Sequence, residues 1–239
     1  MNTPLFLDTE TTDLDEGARV AEVAYKIPKT GEKDSQLFKP PVPISLLAMA
    51  VHHITEEMVA DKPSFVGSQF RERLIALLPE HILVAHWAPF EMRIMKNEGV
   101  EVCQWIDTLR VARHLIDSEY YHLQYLRYFL KLKIEAVAHR AEGDVEVLEK
   151  LFEVLKRLTR EKFETDDEEN TLKKMMELSQ TPVILKQVPF GRHKGKPFEQ
   201  VVEEDRVALE QIRAEELAKP AHSQREDLVH TLDHWLPSA

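Results

Sequence analysis

Asp8, Thr9 and Glu10 close the apolar run Leu5-Phe6-Leu7. Side chains alternate along a strand, so Asp8 and Glu10 project from one face, beside Phe6. Two carboxylates held together on a buried strand repel each other and lose solvation. A divalent cation that takes oxygen ligands, such as Mg²⁺, is the simplest compensation. The pair therefore points to metal-assisted chemistry; two solvated acids at a strand end are the plainer alternative. Asp144 adds a third carboxylate. Positions 144, 148, 151 and 155 step by four, three and four, and the last three are leucines. Asp144 thus lies on the apolar stripe of a helix, where an acid also serves as a cap or dipole partner. His139 stands just ahead of it, and an imidazole of pKa about 6.5 suits proton abstraction from water near neutral pH. Glu91 ends the run Ala85-His86-Trp87-Ala88-Pro89-Phe90-Glu91, where a strand gives way to a helix. A first-turn Glu favoured by the helix dipole is the competing account of that position.

These residues need a scaffold. Residues 4–8, 20–27 and 34–39 read as strands, the last two joined by a turn around Lys29-Thr30-Gly31, which implies antiparallel pairing. Pro40, Pro41 and Pro43 then break the sheet. Short helices are predicted at 45–50 and 55–60, and a helix capped by Ser64 is predicted to reach about Leu78. Ile82–Ala85 reads as a strand, with Pro89 in the first turn of the next helix. Trp105-Ile106 reads as a further strand, followed by helices at about 108–116, 122–130 and 141–160. The pattern is α/β, a mixed sheet with helices packed on it.

At 239 residues the chain has room for one ordinary domain and a smaller one. The expected division is a first domain over 1–160, an acidic linker and helix over 161–182, and a small C-terminal α+β module over 183–239. That module is read as strands at 183–185 and 188–190 and helices at about 198–217 and 222–235. The net charge of −11 argues against a protein that coats duplexes non-specifically. The charge is uneven, however: residues 181–198 carry Lys186, Arg192, Lys194 and Lys196 and no acid. No apolar run approaches a membrane span, and no basic region followed by an apolar stretch marks a secretory signal. The single cysteine, Cys103, fits a reducing compartment, so a cytoplasmic location is expected.

Taken together, Asp8-Thr9-Glu10-Thr11-Thr12, Ala85-His86-x-Ala88-Pro89-Phe90-Glu91 and His139-Arg140-Ala141-x-x-Asp144 resemble the three motifs of the DEDDh 3′–5′ exonucleases, the DnaQ-like or RNase T-like superfamily. The stretches Val51-His52-His53-Ile54-Thr55 and Ile106-Asp107-Thr108-Leu109 agree with it, and the resemblance covers about residues 4–156. Met49–Pro63 and Val188–Pro197 look closest to the exodeoxyribonuclease X group. Gly191–Lys196 is not a phosphate-binding P-loop, because three residues separate its glycines and Pro197 stands where Ser or Thr is required.

The resemblance implies an RNase H-like mixed sheet and a two-metal hydrolase using Mg²⁺ or Mn²⁺. Asp8, Glu10 and Asp144 would be ligands, Glu91 would act directly or through water, and His139 would be the general base. The substrate would be a nucleic-acid 3′ end, DNA favoured over RNA, shortened by one nucleoside 5′-monophosphate at a time. Thr9, Leu14, His52, His53 and Phe90 would lie along the terminal nucleotides, and Arg192, Lys194 and Lys196 would add contacts from the C-terminal module. Three departures stand out: Glu91 replaces the usual Asp, Trp87 the usual Asn and Asp13 a common Gly. They keep two alternatives in view, an exoribonuclease that trims RNA 3′ ends and a weakly catalytic module that binds strand ends or a partner. Oligomeric state is left open.

Overall fold

The structure is a computed structural model that describes residues 2–134, 141–220 and 224–237. The chain divides into two compact units, Met1–Ser179 and Gln180–Ala239. In the first, β1 (Thr3–Thr11), β2 (Val20–Ile27) and β3 (Glu32–Leu37) form an antiparallel meander. α1 (Leu46–His52), α2 (Glu56–Val59) and α3 (Gln69–Leu77) lead to β4 (His81–Ala85), which runs parallel to β1. α4 (Ala88–Asn97) precedes β5 (Trp105–Asp107), parallel to β4. α5 (Thr108–Leu115), α6 (Leu123–Phe129), α7 (Ala141–Phe163) and α8 (Glu168–Gln180) follow. Among the described residues the sheet order is β3-β2-β1-β4-β5. This is the mixed, helix-flanked sheet of the RNase H-like fold.

Alternation along β1 decides what each face of the sheet carries. Leu5 and Leu7 pack with Phe70 and Leu74 of α3 and Ile94 and Met95 of α4. Phe6 faces the other way, onto Val145, Leu148 and Phe152 of α7. The Phe6 and Phe152 rings meet edge to face at 5.2 Å, so truncating either side chain to Ala would cost about 3–5 kcal/mol. α8 adds Leu172, Met175 and Leu178 to this second core. The strand that presents Asp8 is thus clamped on both sides.

The helix expected from Ser64 starts later. Ser68 is the cap, its hydroxyl accepting from Arg71 N–H at 3.1 Å. Phe65 instead enters the core edge-on to Phe38, ring centroids 5.0 Å apart. Gly67, at φ 84°, turns the chain between the two.

In the second unit, α9 (Phe198–Leu217) and α10 (Glu226–Trp235) enclose a small core of Val188, Phe198, Val201, Leu209, Leu228 and Leu232. The strands expected at 183–185 and 188–190 do not form. The Val183 N–H donates to the Asp227 carboxylate and the Leu185 N–H to the Thr231 hydroxyl, while Pro189 has no N–H to give. Side chains of α10 take the amides a neighbouring strand would use, and a single bridge, Gln187 to Pro197, is all the β structure among this unit's described residues.

Candidate active site

β1 reaches its C-terminal end at a bulge between Glu10 and Thr11, a device that re-aims side chains where strands meet a site. Asp8 and Glu10 share the face that carries Phe6. α7, fixed across that face by Phe152 and Leu148, brings Asp144 of its first turn over the strand end. One carboxylate oxygen from each of Asp8, Glu10 and Asp144 lies within 4.8 Å of the other two. The structure therefore gathers three of the four acids singled out in the sequence.

The surroundings intensify the negative potential. Burial pushes the Asp8 carboxyl well above its usual range, and the charges of Glu91, Asp144, Glu10 and Glu22 push it the same way. Glu22 lies opposite Glu10 in the β1–β2 register. It is buried, and its Oε2 accepts from the Ala141 N–H at 3.3 Å, holding the start of α7. The Gln124 amide of α6 donates to Asp144 Oδ1. Neither Glu22 nor Gln124 stood out in the sequence. Glu22 had a signal, an acid among the apolar residues Val20, Ala21, Val23 and Ala24; Gln124 had none.

Glu91 is placed differently. Its Oε2 accepts from the Thr9 hydroxyl at 2.7 Å, and the Thr9 backbone N–H also donates to it. Burial pushes this carboxyl up to about 8, against the Thr9 hydrogen bonds that favour ionisation. Its position is set by the turn before α4. Trp87 takes left-handed backbone, φ 75° and ψ 52°, uncommon for a bulky residue. Its N–H donates to Asp107 Oδ1 at 2.9 Å. The same oxygen accepts from Leu109 N–H at 3.0 Å and caps α5. The Trp87 ring stacks on Phe90 at 5.0 Å, and Arg93 lies 5.2 Å over the Phe90 ring while donating to the Leu14 carbonyl at 2.8 Å. Leu14, Trp87 and Phe90 are thus linked around the start of α4, with Leu14 and Trp87 exposed.

The histidines divide by environment. His52 is buried; its Nδ1 accepts from Ile54 N–H at 2.9 Å, so Nε2 carries the proton and donates to the Thr11 carbonyl at 3.1 Å. Burial lowers its pKa. It ties the end of α1 to the end of β1, whereas His53 is exposed at the helix terminus with φ 61°. His86 donates from Nε2 to the Tyr121 carbonyl at 2.7 Å, and burial lowers its pKa to about 4. His139 lies outside the described residues. In the second unit, Arg192 pairs with Asp205 and Lys196 with Glu204 of α9, while Lys194 is exposed.

The sequence profile of the family described as exonuclease matches residues 5–152. The chain belongs to the exonuclease family. Among its relatives, this exonuclease is 29% identical over 211 residues to exodeoxyribonuclease 10 of Escherichia coli K12, an alignment spanning 83% of this chain and 85% of that one. It is 31% identical over 130 residues to the DNA polymerase III epsilon subunit of Pasteurella multocida, spanning 46% of this chain and 51% of that one. A solved structure of exonuclease X in complex with 5′ overhanging duplex DNA superimposes with a TM-score of 0.58 at 28% identity, covering 74% of this chain and 99% of that one. Escherichia coli exonuclease I in complex with a dT13 oligonucleotide shares the fold, with a TM-score of 0.58 at 18% identity over 73% of this chain and 46% of that one.

The family's divalent-metal dependence fits the donor set here. Asp8, Glu10 and Asp144 offer only oxygen, the ligand hard cations take, and the acids that raise the Asp8 pKa are the environment a cation would relieve.

Proposed function

We propose that this exonuclease hydrolyses the terminal phosphodiester at the 3′ end of DNA, single-stranded or frayed, and releases nucleoside 5′-monophosphates. The observation that carries this reading is the convergence of Asp8, Glu10 and Asp144 within 4.8 Å in a chain of this family. Its resemblance to a relative named as an exodeoxyribonuclease favours DNA over RNA.

In this reading Asp8, Glu10 and Asp144 would hold two Mg²⁺ or Mn²⁺ ions. Bound divalent cations supply positive charge that acidifies a water and stabilises the departing oxygen. Thr9 keeps Glu91 beside the group, where its longer arm would act through water. His139 takes the proton of the attacking water. Gln124 orients Asp144, and Glu22 fixes the helix turn that delivers it. Leu14 meets the terminal nucleotides by apolar contact, which tolerates any base, and Phe90, buried against the exposed Trp87 ring, supports that surface from within. His53 lies along the terminal sugar and phosphate, with His52 shaping that segment from beneath. In the second unit Lys194 offers a contact to phosphate, with Arg192 and Lys196 beside it. Among the described residues no helix is long and apolar enough to cross a membrane, and the enzyme would act on DNA ends in the cytoplasm.

The test is incubation with 5′-labelled single-stranded DNA in Mg²⁺, in Mn²⁺ and in chelator, beside Asp8→Ala. A metal-dependent ladder that shortens from the 3′ end and is absent in the variant is expected. An intact strand in every condition would overturn the reading.

A further inference from the structure

α6 turns aromatic rings outward. Its inner face is apolar, with Leu126 buried and Leu123 and Leu130 packed against the core. The outer face of such a helix is normally polar. Here Tyr125 is 36% exposed, Phe129 46% and Tyr128 72%, and Tyr120 just ahead of the helix is 49% exposed. The rings are ordered. Tyr125 and Phe129, one turn apart, lie within 19° of parallel at 6.0 Å. Tyr120 meets Tyr125 edge-on at 5.3 Å and lies within 20° of parallel to His122 at 6.4 Å.

Two further observations indicate what this strip is for. Residues 120–134 contain Arg127, Lys131 and Lys133 and no acid, in a chain of net charge −11. Lys131 and Lys133 are exposed. The strip is also joined to the acid group, because Gln124, the neighbour of Tyr125, donates to Asp144. Aromatic faces interleaved with cations are the chemistry that holds single-stranded nucleic acid: bases stack on the rings whatever their identity, and the cations follow the phosphates.

We propose that Tyr120, Tyr125 and Phe129 form a stacking track for unpaired bases of a DNA single strand whose 3′ end lies at Asp8, Glu10 and Asp144, with Lys131 and Lys133 meeting its phosphates. The track deepens the proposed exonuclease function and rests on it. It feeds an unpaired strand to the acid group and disfavours a blunt duplex, whose stacked bases have no face to offer.

The test uses the full chain and oligothymidylates that carry 2-aminopurine at successive positions from the 3′ end, with Ca²⁺ as the cation. Quenching at internal positions is expected with the wild-type protein. In Tyr125→Ala/Phe129→Ala the quenching should disappear and binding weaken roughly tenfold or more. Tyr125→Phe should restore affinity, since stacking needs the ring and not the hydroxyl, and circular dichroism checks that each variant folds. Lys131→Glu/Lys133→Glu should weaken binding and flatten its dependence on salt. Unchanged quenching and affinity in the aromatic double variant would overturn the track and turn the strip toward a protein partner. Release of nucleotides by the wild-type protein in Mg²⁺ is scored separately. Strand binding that depends on the rings without any release would sink the exonuclease reading and leave the track standing.

Discussion

Two acids, Glu216 and Asp8, show how differently this chain treats a carboxylate. In the second unit Glu216 is buried, and it accepts from Arg225 Nη2 at 2.6 Å and from Lys219 Nζ at 2.7 Å. The Arg225 hydrogen bonds, first among several causes, lower its pKa to about 2. At the end of β1, burial and four neighbouring carboxylates push Asp8 in the opposite direction. Glu98 follows the first pattern, with Arg19 donating to both of its oxygens at 2.8 Å. At Glu216 and Glu98, where the acid serves the fold, the chain supplies an arginine. At the acid group it places more acid instead, and this is what makes the group a site.

The sharpest way to break this contrast is to remove an acid from each place. Asp8→Asn and Asp144→Asn should each lower nucleotide release about a thousandfold, while the metal-free melting temperature holds or rises because a repelling charge has gone. A melting temperature that collapses would make Asp8 a structural acid like Glu216. Glu216→Gln should leave release by the first unit near the wild-type rate and destabilise the second unit by roughly 2 kcal/mol. The figure is modest because Arg225 and Lys219 are partly exposed. Calorimetry of the full chain reads both effects.

Titration sharpens the comparison further. Glu91 is raised from 4.5 to about 8, so the folded state binds more protons than the unfolded one across that range. Its contribution to stability is full below about 4.5 and is lost as pH rises through about 8. Glu216 is lowered from 4.5 to about 2; its contribution is present above about 4.5 and is lost as pH falls through about 2. Metal-free melting curves should therefore decline toward alkaline pH, and Glu91→Gln should flatten that decline. If added Mg²⁺ stabilises Asp8→Ala as much as wild type, the acids are not where it binds. The smallest expected effect is Lys194→Ala, about a twofold loss of strand affinity and a slightly shallower salt slope.

Much of this was legible in advance, and the gaps have physical causes. The succession of strands and helices along the first unit, the shared face of Asp8 and Glu10 and the inward set of Asp144 follow from periods of 2 and 3.6 and from turn residues in the sequence. The start of α3 did not, because Ser64 and Ser68 are equally good caps and the core's need for Phe65 chose between them. The strand expected at 183–185 failed because Asp227 and Thr231, more than 40 residues on, take the Val183 and Leu185 amides; at 188–190 the Val188 N–H pairs with the nearby Lys196 carbonyl, and Pro189 has no N–H to extend a ladder. Gln124 was invisible, since nothing local marks an amide that reaches an acid 20 residues away. Glu91 was legible as an acid at the strand-to-helix turn; its hold on Thr9 was not, being a contact across 82 residues.

Asp107 binds two helix starts with one side chain, the left-handed turn at Trp87 and the first turn of α5. Anyone transplanting this acid group onto another sheet would have to carry that aspartate along, although it touches none of the three gathered acids in the described contacts. Without it the Glu91 turn and α5 would become separate parts with separate errors. With it they arrive as one piece, and the tolerance of the whole graft is set by a residue that performs no chemistry.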